Sequence, residues 1–328
     1  MKRRGILLAG AAGVLLSGRA FSQSAARKAR VLVIHSAPIP SGPYHNALVE
    51  RLRLQGFVDG KNLIVDAPAF TIWGRESMRR DFATLLGEKP DAVFAFTARI
   101  RDAVIEEAPK VPLVFVWVAD PVTAGLAKDY GRPGGNATGV SNRFAEVAVK
   151  RLELLRELAP AIKRVAVVGP TYEPEVEKAL AGLRTASPRF GFELLEVSTA
   201  MSLATMEVQR IIRNGAEALL PLHIYSAFGA RGMGEDIVRL CAAHRIPAIF
   251  AESEMVEAGA LLSYGTNLVD DVRRAADMLA KVLRGAKPGE IPIDQASQFE
   301  LVLNLKTARQ LKIRVPPAVI ARASRVIE

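Results

Sequence analysis

The sequence predicts an α/β protein of two similar lobes, each a parallel sheet with helices on both faces, joined by a multi-strand hinge. Three observations predict it. Short β-rich runs alternate with helical patterns of 10–15 residues. The series runs twice, once before and once after residue 140. A stretch of turn-forming residues, Arg132-Pro-Gly-Gly-Asn-Ala-Thr-Gly139, separates the two series and reads as the first interlobe crossing. Parallel neighbours demand a return path along the sheet, and the intervening helices supply it.

Val31–Ile34 is an apolar run of strand length, followed by His35-Ser36-Ala37-Pro38. Ser41 is positioned to cap the next helix, with Pro43 in its first turn, Ala47, Leu48 and Leu52 on one face, and Gly56 past its end. Strands follow near Leu63–Val65, Ala92–Phe96 and Leu113–Val118, alternating with helices near Glu76–Leu86, Ile100–Ala108 and Val122–Lys128. The second series has strands near Arg164–Val168, Glu193–Val197, Ala218–Leu222 and Ala248–Phe250. Its helices are expected near Ala145–Leu158, Pro174–Ala186, Leu203–Arg213 and Met233–His244. A second break at Ser263-Tyr264-Gly265-Thr266 precedes a long helix near Val269–Leu283 and is read as the return to the first lobe. The resulting division is residues 31–139 plus about 266–298 for lobe one, and 140–265 plus about 299–328 for lobe two.

Residues 1–22 stand apart. Lys2, Arg3 and Arg4, the apolar run Ile6–Leu16 and the small residues of Ala20-Phe21-Ser22 form the pattern of a secretory signal peptide, cleaved after Ser22. The run is shorter than the ~20 residues of a membrane span. Export of a soluble mature chain follows as the expectation. The excess of 44 Lys+Arg over 34 Asp+Glu falls to a net +6 without this segment, since it holds four bases and no acid. The other bases are mixed with acids on helices, as in Arg151-Leu-Glu153-Leu-Leu-Arg156-Glu157, a pattern read as a solvated face. No nucleic-acid partner is expected. The single cysteine, Cys241, excludes an internal disulfide and lies in an apolar-periodic segment, as a packed thiol does.

Ligands of open parallel sheets bind beyond the carboxyl ends of the strands. The residues placed there are Ser36, Ala37, Thr97, Ala98, Asp120, Thr171, Tyr172, His223, Tyr225 and Glu252, and they form the candidate ligand site. Helix N-termini follow several of these turns, which favours an anionic group such as a carboxylate. Each also has a structural reading: Ser36 and Thr97 as helix caps, Asp120 as a turn residue before Pro121, the tyrosines as packing. Thr138, Gly139, Tyr264 and Gly265 are the candidate hinge. No cofactor or metal motif is present, nor a Gly-x-Ser-x-Gly elbow or a phosphate loop ending in Gly-Lys-Ser/Thr.

Several stretches carry a resemblance over nearly the whole mature chain. They are Gly56-Phe-Val-Asp-Gly-Lys-Asn-Leu63, Asp120-Pro-Val-Thr-Ala-Gly-Leu126, Arg132–Gly139, Glu257-Ala-Gly-Ala-Leu-Leu-Ser-Tyr-Gly265, Phe299-Glu-Leu-Val-Leu-Asn-Leu-Lys-Thr-Ala308 and Val315–Glu328. The chain resembles the ABC-transporter substrate-binding proteins with a type I periplasmic-binding-protein fold, a family that includes tryptophan/tyrosine-type uptake proteins. The resemblance implies a receptor that captures a small solute, here carboxylate-bearing and amino-acid-like, and presents it to the transmembrane subunits of an ABC permease. Two cleft turns depart from the family pattern, Thr97-Ala98-Arg99-Ile100-Arg101 and Gly169-Pro170-Thr171-Tyr172, so the resemblance does not carry a particular ligand over. A ligand-sensing module for a signalling receptor shares the same fold and cleft. An exported enzyme using His223, Glu252 and Ser36 lacks any supporting motif.

Overall fold

The structure is a computed structural model that describes residues 27–34, 42–68, 75–96, 104, 107–171, 174–222 and 231–328. Its first sheet has six strands, in the order β2 (Leu63–Asp66), β1 (Ala29–Ile34), β3 (Ala92–Ala95), β4 (Leu113–Val118), β5 (Ala137–Ser141) and β11 (Asp294–Gln295). Every pairing in it is parallel. Alternate residues of each strand go to opposite faces, and both faces are covered. Val31, Val33, Val114 and Val116 pack with the helices Pro43–Leu54 and Leu268–Leu283. Leu32, Ile34, Val93 and Phe115 pack on the other side with Phe82 of the Arg75–Leu86 helix. Unbroken apolar runs such as Leu113–Val118 are what burial on both faces requires.

The second lobe repeats this plan. A three-stranded parallel sheet, β7 (Glu193–Ser198), β6 (Arg164–Gly169) and β8 (Ala218–Pro221), is bridged through Leu219 and Ala248 to a four-stranded one. The latter has the order β9 (Ile249–Phe250), β10 (Leu262–Thr266), β12 (Phe299–Asn304) and β13 (Arg325–Ile327). Val165 and Val167 pack with the Phe144–Leu158 and Pro174–Phe190 helices. Ala166 and Val168 pack with Ala204–Arg213 and Arg231–Ala243. One pairing departs from the all-parallel expectation, because β12 runs antiparallel to β10. The chain enters it from the other lobe rather than through a helical crossover, so nothing forces the parallel direction.

The chain passes between the sheets three times: from β5 to the helix starting at Phe144, from β10 to the helix starting at Leu268, and from β11 to β12. Turn-like stretches of the sequence here form strands. Ala137–Ser141, part of the expected crossing, is β5, and Leu262–Thr266, expected as a break, is β10. Their glycines satisfy tertiary demands, not turns. A Cβ on Gly139 would stand 2.1 Å from the Phe115 carbonyl oxygen, and one on Gly265 would stand 2.1 Å from that of Ala251.

Two local expectations are corrected. Val122–Lys128 is a run of turns instead of a helix. Asp120 holds the first of them through the amides of Val122 and Thr123, and Gly125, at φ +67°, ends it after one turn. The first helix has Gly42 at its N-cap position with no side-chain cap; Ser41 lies outside the described residues. Of the expected helix Ile100–Ala108, only Val104, Glu107 and Ala108 are described.

Candidate functional site

In the first sheet β1 lies between β2 and β3; in the second β6 lies between β7 and β8. Each order reverses beside its central strand, which is the switch point where doubly wound sheets open a crevice. Ser36 and Ala37 follow β1, and Thr97 and Ala98 follow β3. Thr171 and Tyr172 follow β6, and His223 and Tyr225 follow β8. The topology therefore groups the strands that precede these positions in the chain, one group in each lobe. Ser36, Ala37, Thr97, Ala98, Tyr172, His223 and Tyr225 themselves lie outside the described residues.

The described candidates take distinct places. Asp120, just past β4, accepts from the amides of Val122 and Thr123 at 3.1 Å each and from the Thr123 hydroxyl at 2.8 Å. The Tyr130 hydroxyl donates to it at 3.3 Å. Lys178, on the Pro174–Phe190 helix of the second lobe, forms an ion pair with the same carboxylate. Burial pushes the Asp120 carboxyl up, but the Lys178 ammonium and the Thr123 donors outweigh it and hold the group well below the usual carboxylate range. Asp120 is thus a turn-builder that also reaches the opposite lobe. Thr171 is half-buried at the end of β6 and hydrogen-bonded to the Ser198 hydroxyl. Glu252 is buried immediately past β9.

The candidate hinge residues lie within strands. Thr138 is buried in β5, and its hydroxyl donates to the Ile291 carbonyl at 2.9 Å. Tyr264 in β10 stacks on Phe299 of β12 at 5.7 Å between centroids. The neighbouring crossing is capped by Asn267, which accepts from the Asp270 amide at 3.1 Å while its own amide donates to Glu300 at 2.9 Å.

Sequence reasoning missed a second group. Tyr44, in the first turn of the Pro43–Leu54 helix, donates to Oε1 of Glu254 in the opposite lobe at 3.0 Å. Its ring meets Trp117 edge-on at 4.9 Å, and Trp117 lies 5.0 Å from Phe96. Trp117 occupies the register shift between β4 and β5 at φ +61°, in the left-handed region where a bulky residue is strained. Its indole N–H is buried without a hydrogen-bond partner. Its sequence signal was a Trp inside the apolar run Leu113–Val118. Arg151 was also misplaced: the helix face read as solvated buries this guanidinium fully, because the Phe144–Leu158 helix is covered by both its sheet and the Pro174–Phe190 helix.

No group of three or more His, Cys, Asp or Glu that could hold a metal occurs among the described residues. None of the described helices is long and apolar enough to cross a membrane. What the arrangement provides is a pair of opposed strand-end rims, already in polar contact on two sides.

A family model for ABC transporter substrate binding proteins matches residues 47–327. The chain belongs to that family. A tyrosine-binding protein of Clostridioides difficile (strain R20291) is 24% identical over 273 residues, covering 81% of this chain and 75% of its own. A solved conserved domain protein from Vibrio cholerae superposes with a TM-score of 0.79 at 27% identity, covering 92% of this chain and 99% of that one. An ABC domain from Streptococcus pneumoniae in complex with L-Trp superposes with a TM-score of 0.77 at 21% identity, covering 92% and 100%. Substrate-binding proteins of this family are ligand receptors that work outside the cytoplasmic membrane, and the two-lobed α/β architecture of this member is theirs.

Proposed function

We propose that this substrate-binding protein is exported by its first 22 residues, clasps an amino-acid-like solute with an aromatic or branched side chain between its lobes, and delivers it to an ABC permease. The observation that carries the reading is the doubled switch-point topology. It sets the strand ends preceding Ser36, Thr97, Tyr172, His223 and Tyr225 on the two rims, and the rims meet through Tyr44 with Glu254 and Asp120 with Lys178. The tyrosine-binding and L-Trp-bound relatives support the ligand class. Lobe one is assigned residues 31–139 and about 266–298, lobe two 140–265 and about 299–328, with Thr138, Gly139, Tyr264 and Gly265 at the hinge.

The mechanism is a population shift. An open form admits the solute; a solute touching both rims favours the closed form only by the contacts it gains there. Closure then changes the paired surface of the lobes that a permease reads. No bond is made or broken in the ligand. Thermal-shift measurements on the chain from Gln23 onward, against amino acids, organic acids and sugars, test this reading. Ligand at about 100 times its Kd stabilises by about 2.7 kcal/mol, well above scatter. Stabilisation by L-tyrosine, L-tryptophan or L-leucine is expected; stabilisation by sugars alone would overturn the reading.

A further inference from the structure

Two of the three crossings join the second lobe side by side. β10 and β12 pair antiparallel, with Thr266 opposite Phe299 and Gly265 opposite Glu300, so the chain leaves through one strand end and returns at its neighbour. In the first lobe the same two connections meet the Leu268–Leu283 helix and β11. A rotation of the lobes therefore turns the start of that helix against both connections.

A chain of polar groups fills this joint. Asp271 lies in the first turn of the helix with its side chain only 1% exposed. Its Oδ2 accepts from the Thr266 hydroxyl at 2.7 Å, and its Oδ1 accepts from Nη2 of Arg274 at 2.5 Å. Nη1 of the same guanidinium donates to Oδ2 of Asp294 in β11 at 2.7 Å. Asn267 caps the helix and donates from Nδ2 to Glu300 of β12 at 2.9 Å. Two bonds thus span the connections, Thr266 to Asp271 and Asn267 to Glu300. Arg274 holds the acceptor of the first while gripping the strand from which the other connection departs. Its planar fork can serve two carboxylates at once.

Capping does not account for the buried carboxylate, because Asn267 already accepts from the Asp270 amide. A buried charge is costly unless it is paired and its oxygens are hydrogen-bonded. Asp271 is satisfied here, in an arrangement where the rims also touch through Tyr44 with Glu254 and Asp120 with Lys178.

We propose that Arg274 is a positioning residue of the hinge: by bridging Asp271 and Asp294 it holds Asp271 where Thr266 reaches it while the rims meet, and so biases the free chain toward the closed arrangement. Opening turns β10 against the helix and withdraws the Thr266 donor from a carboxylate that stays buried. Apparent affinity is the intrinsic affinity multiplied by the fraction of binding-competent chains, so this joint scales the affinity for every solute by one common factor. The inference rests on the closing-lobe part of the reading above and not on the class of solute.

The test is small-angle X-ray scattering on the ligand-free chain from Gln23 onward, for the wild type and for Thr266→Val, Arg274→Met and Asp294→Asn. Each variant should have a larger radius of gyration than the wild type. Asp294→Asn should do so with the Thr266–Asp271 pair left in place, which separates positioning by Arg274 from that bond alone. Titration calorimetry with L-tyrosine, L-tryptophan and L-leucine should show each variant binding about two- to tenfold more weakly, by the same factor for every amino acid that binds. Saturation with such an amino acid should bring the radius back to the wild-type value. Where Arg274→Met fails to fold, Asp294→Asn, altered at a side chain 35% exposed, is read in its place. Radii and affinities equal to the wild type, with only a lower urea midpoint, would assign Arg274 a purely structural role and overturn the inference. Binding of none of the three amino acids would remove the proposed solute class, while the scattering comparison would still decide the hinge.

Discussion

The hydroxyl of Tyr44 donates to Oε1 of Glu254 at 3.0 Å, tying the first helix of one lobe to the short helix Ser253–Glu257 that follows β9 in the other. This bond exists only while the lobes touch, so it contributes to closure and not to the stability of either lobe. Tyr44→Phe removes about 1 kcal/mol from the closed form. Ligand affinity should fall about fivefold, since 1.4 kcal/mol is tenfold. The ring keeps its edge-on contact with Trp117, so the melting temperature of the free chain should hardly move. Calorimetric titration beside a thermal melt checks both; unchanged affinity would remove this bond from the closure mechanism.

Asp120 and Lys178 make the second interlobe contact, and it titrates. The folded pKa of Asp120 is depressed, so its stabilisation is fully present above the unfolded carboxylate value near ~4 and is lost as pH falls toward the folded value. Lys178 is 52% exposed, so the pair contributes no more than about 1 kcal/mol. Urea unfolding of Lys178→Met should show a deficit of that size at pH 6 in low salt. The deficit should shrink in 0.5 M salt, where the pair is screened, and be lost only as pH falls toward the depressed folded value, where the carboxylate is protonated.

Gly139→Ala and Gly265→Ala each place a methyl group 2.1 Å from a backbone carbonyl oxygen. Neither neighbour is a flexible side-chain end, so strands must part. A loss of about 2–3 kcal/mol or more in chemical denaturation is expected for each. Gly232 in the Arg231–Ala243 helix meets nothing within 4 Å, and Gly232→Ala should be neutral or stabilise by up to about 1 kcal/mol. A harmless Gly139→Ala would show that β4 and β5 approach less closely than described.

Cys241 is buried and its thiol is pushed up to about 12 by that burial. The native chain should react with a disulfide reagent at pH 8 only through opening of the Arg231–Ala243 helix, orders of magnitude more slowly than the urea-unfolded chain. Because the folded pKa is raised, the associated stability is complete below the unfolded thiol value near ~8.5 and declines as pH rises above it. Rapid labelling of the folded protein would contradict the packed position.

Legibility followed how local the cause of each element was. Leu113–Val118 was readable in full because a strand buried on both faces needs an unbroken apolar run. β5 and β10 were not, because their Gly, Ser and Thr residues are chosen by neighbouring backbones and carry no periodic apolar signal. Val122–Lys128 failed for a similar reason: helix-compatible residues there are overruled by the Asp120 turn and Gly125. The strand ends that precede the proposed site residues were readable from the strand–helix alternation. Tyr44, Trp117, Lys178 and Arg151 were not, since each looks like an ordinary helix or strand residue until its partner arrives.

The sequence by itself determined the alternation of strands and helices and its repetition in two lobes, because both depend on hydrophobic spacing within short stretches. Only the tertiary structure decided which polar groups face each other across the lobes and which charge is buried. Tyr44 and Glu254 are 210 residues apart, and Asp120 and Lys178 are 58 apart. No local pattern encodes a pairing whose geometry exists only after two independently packed cores have set their rims side by side.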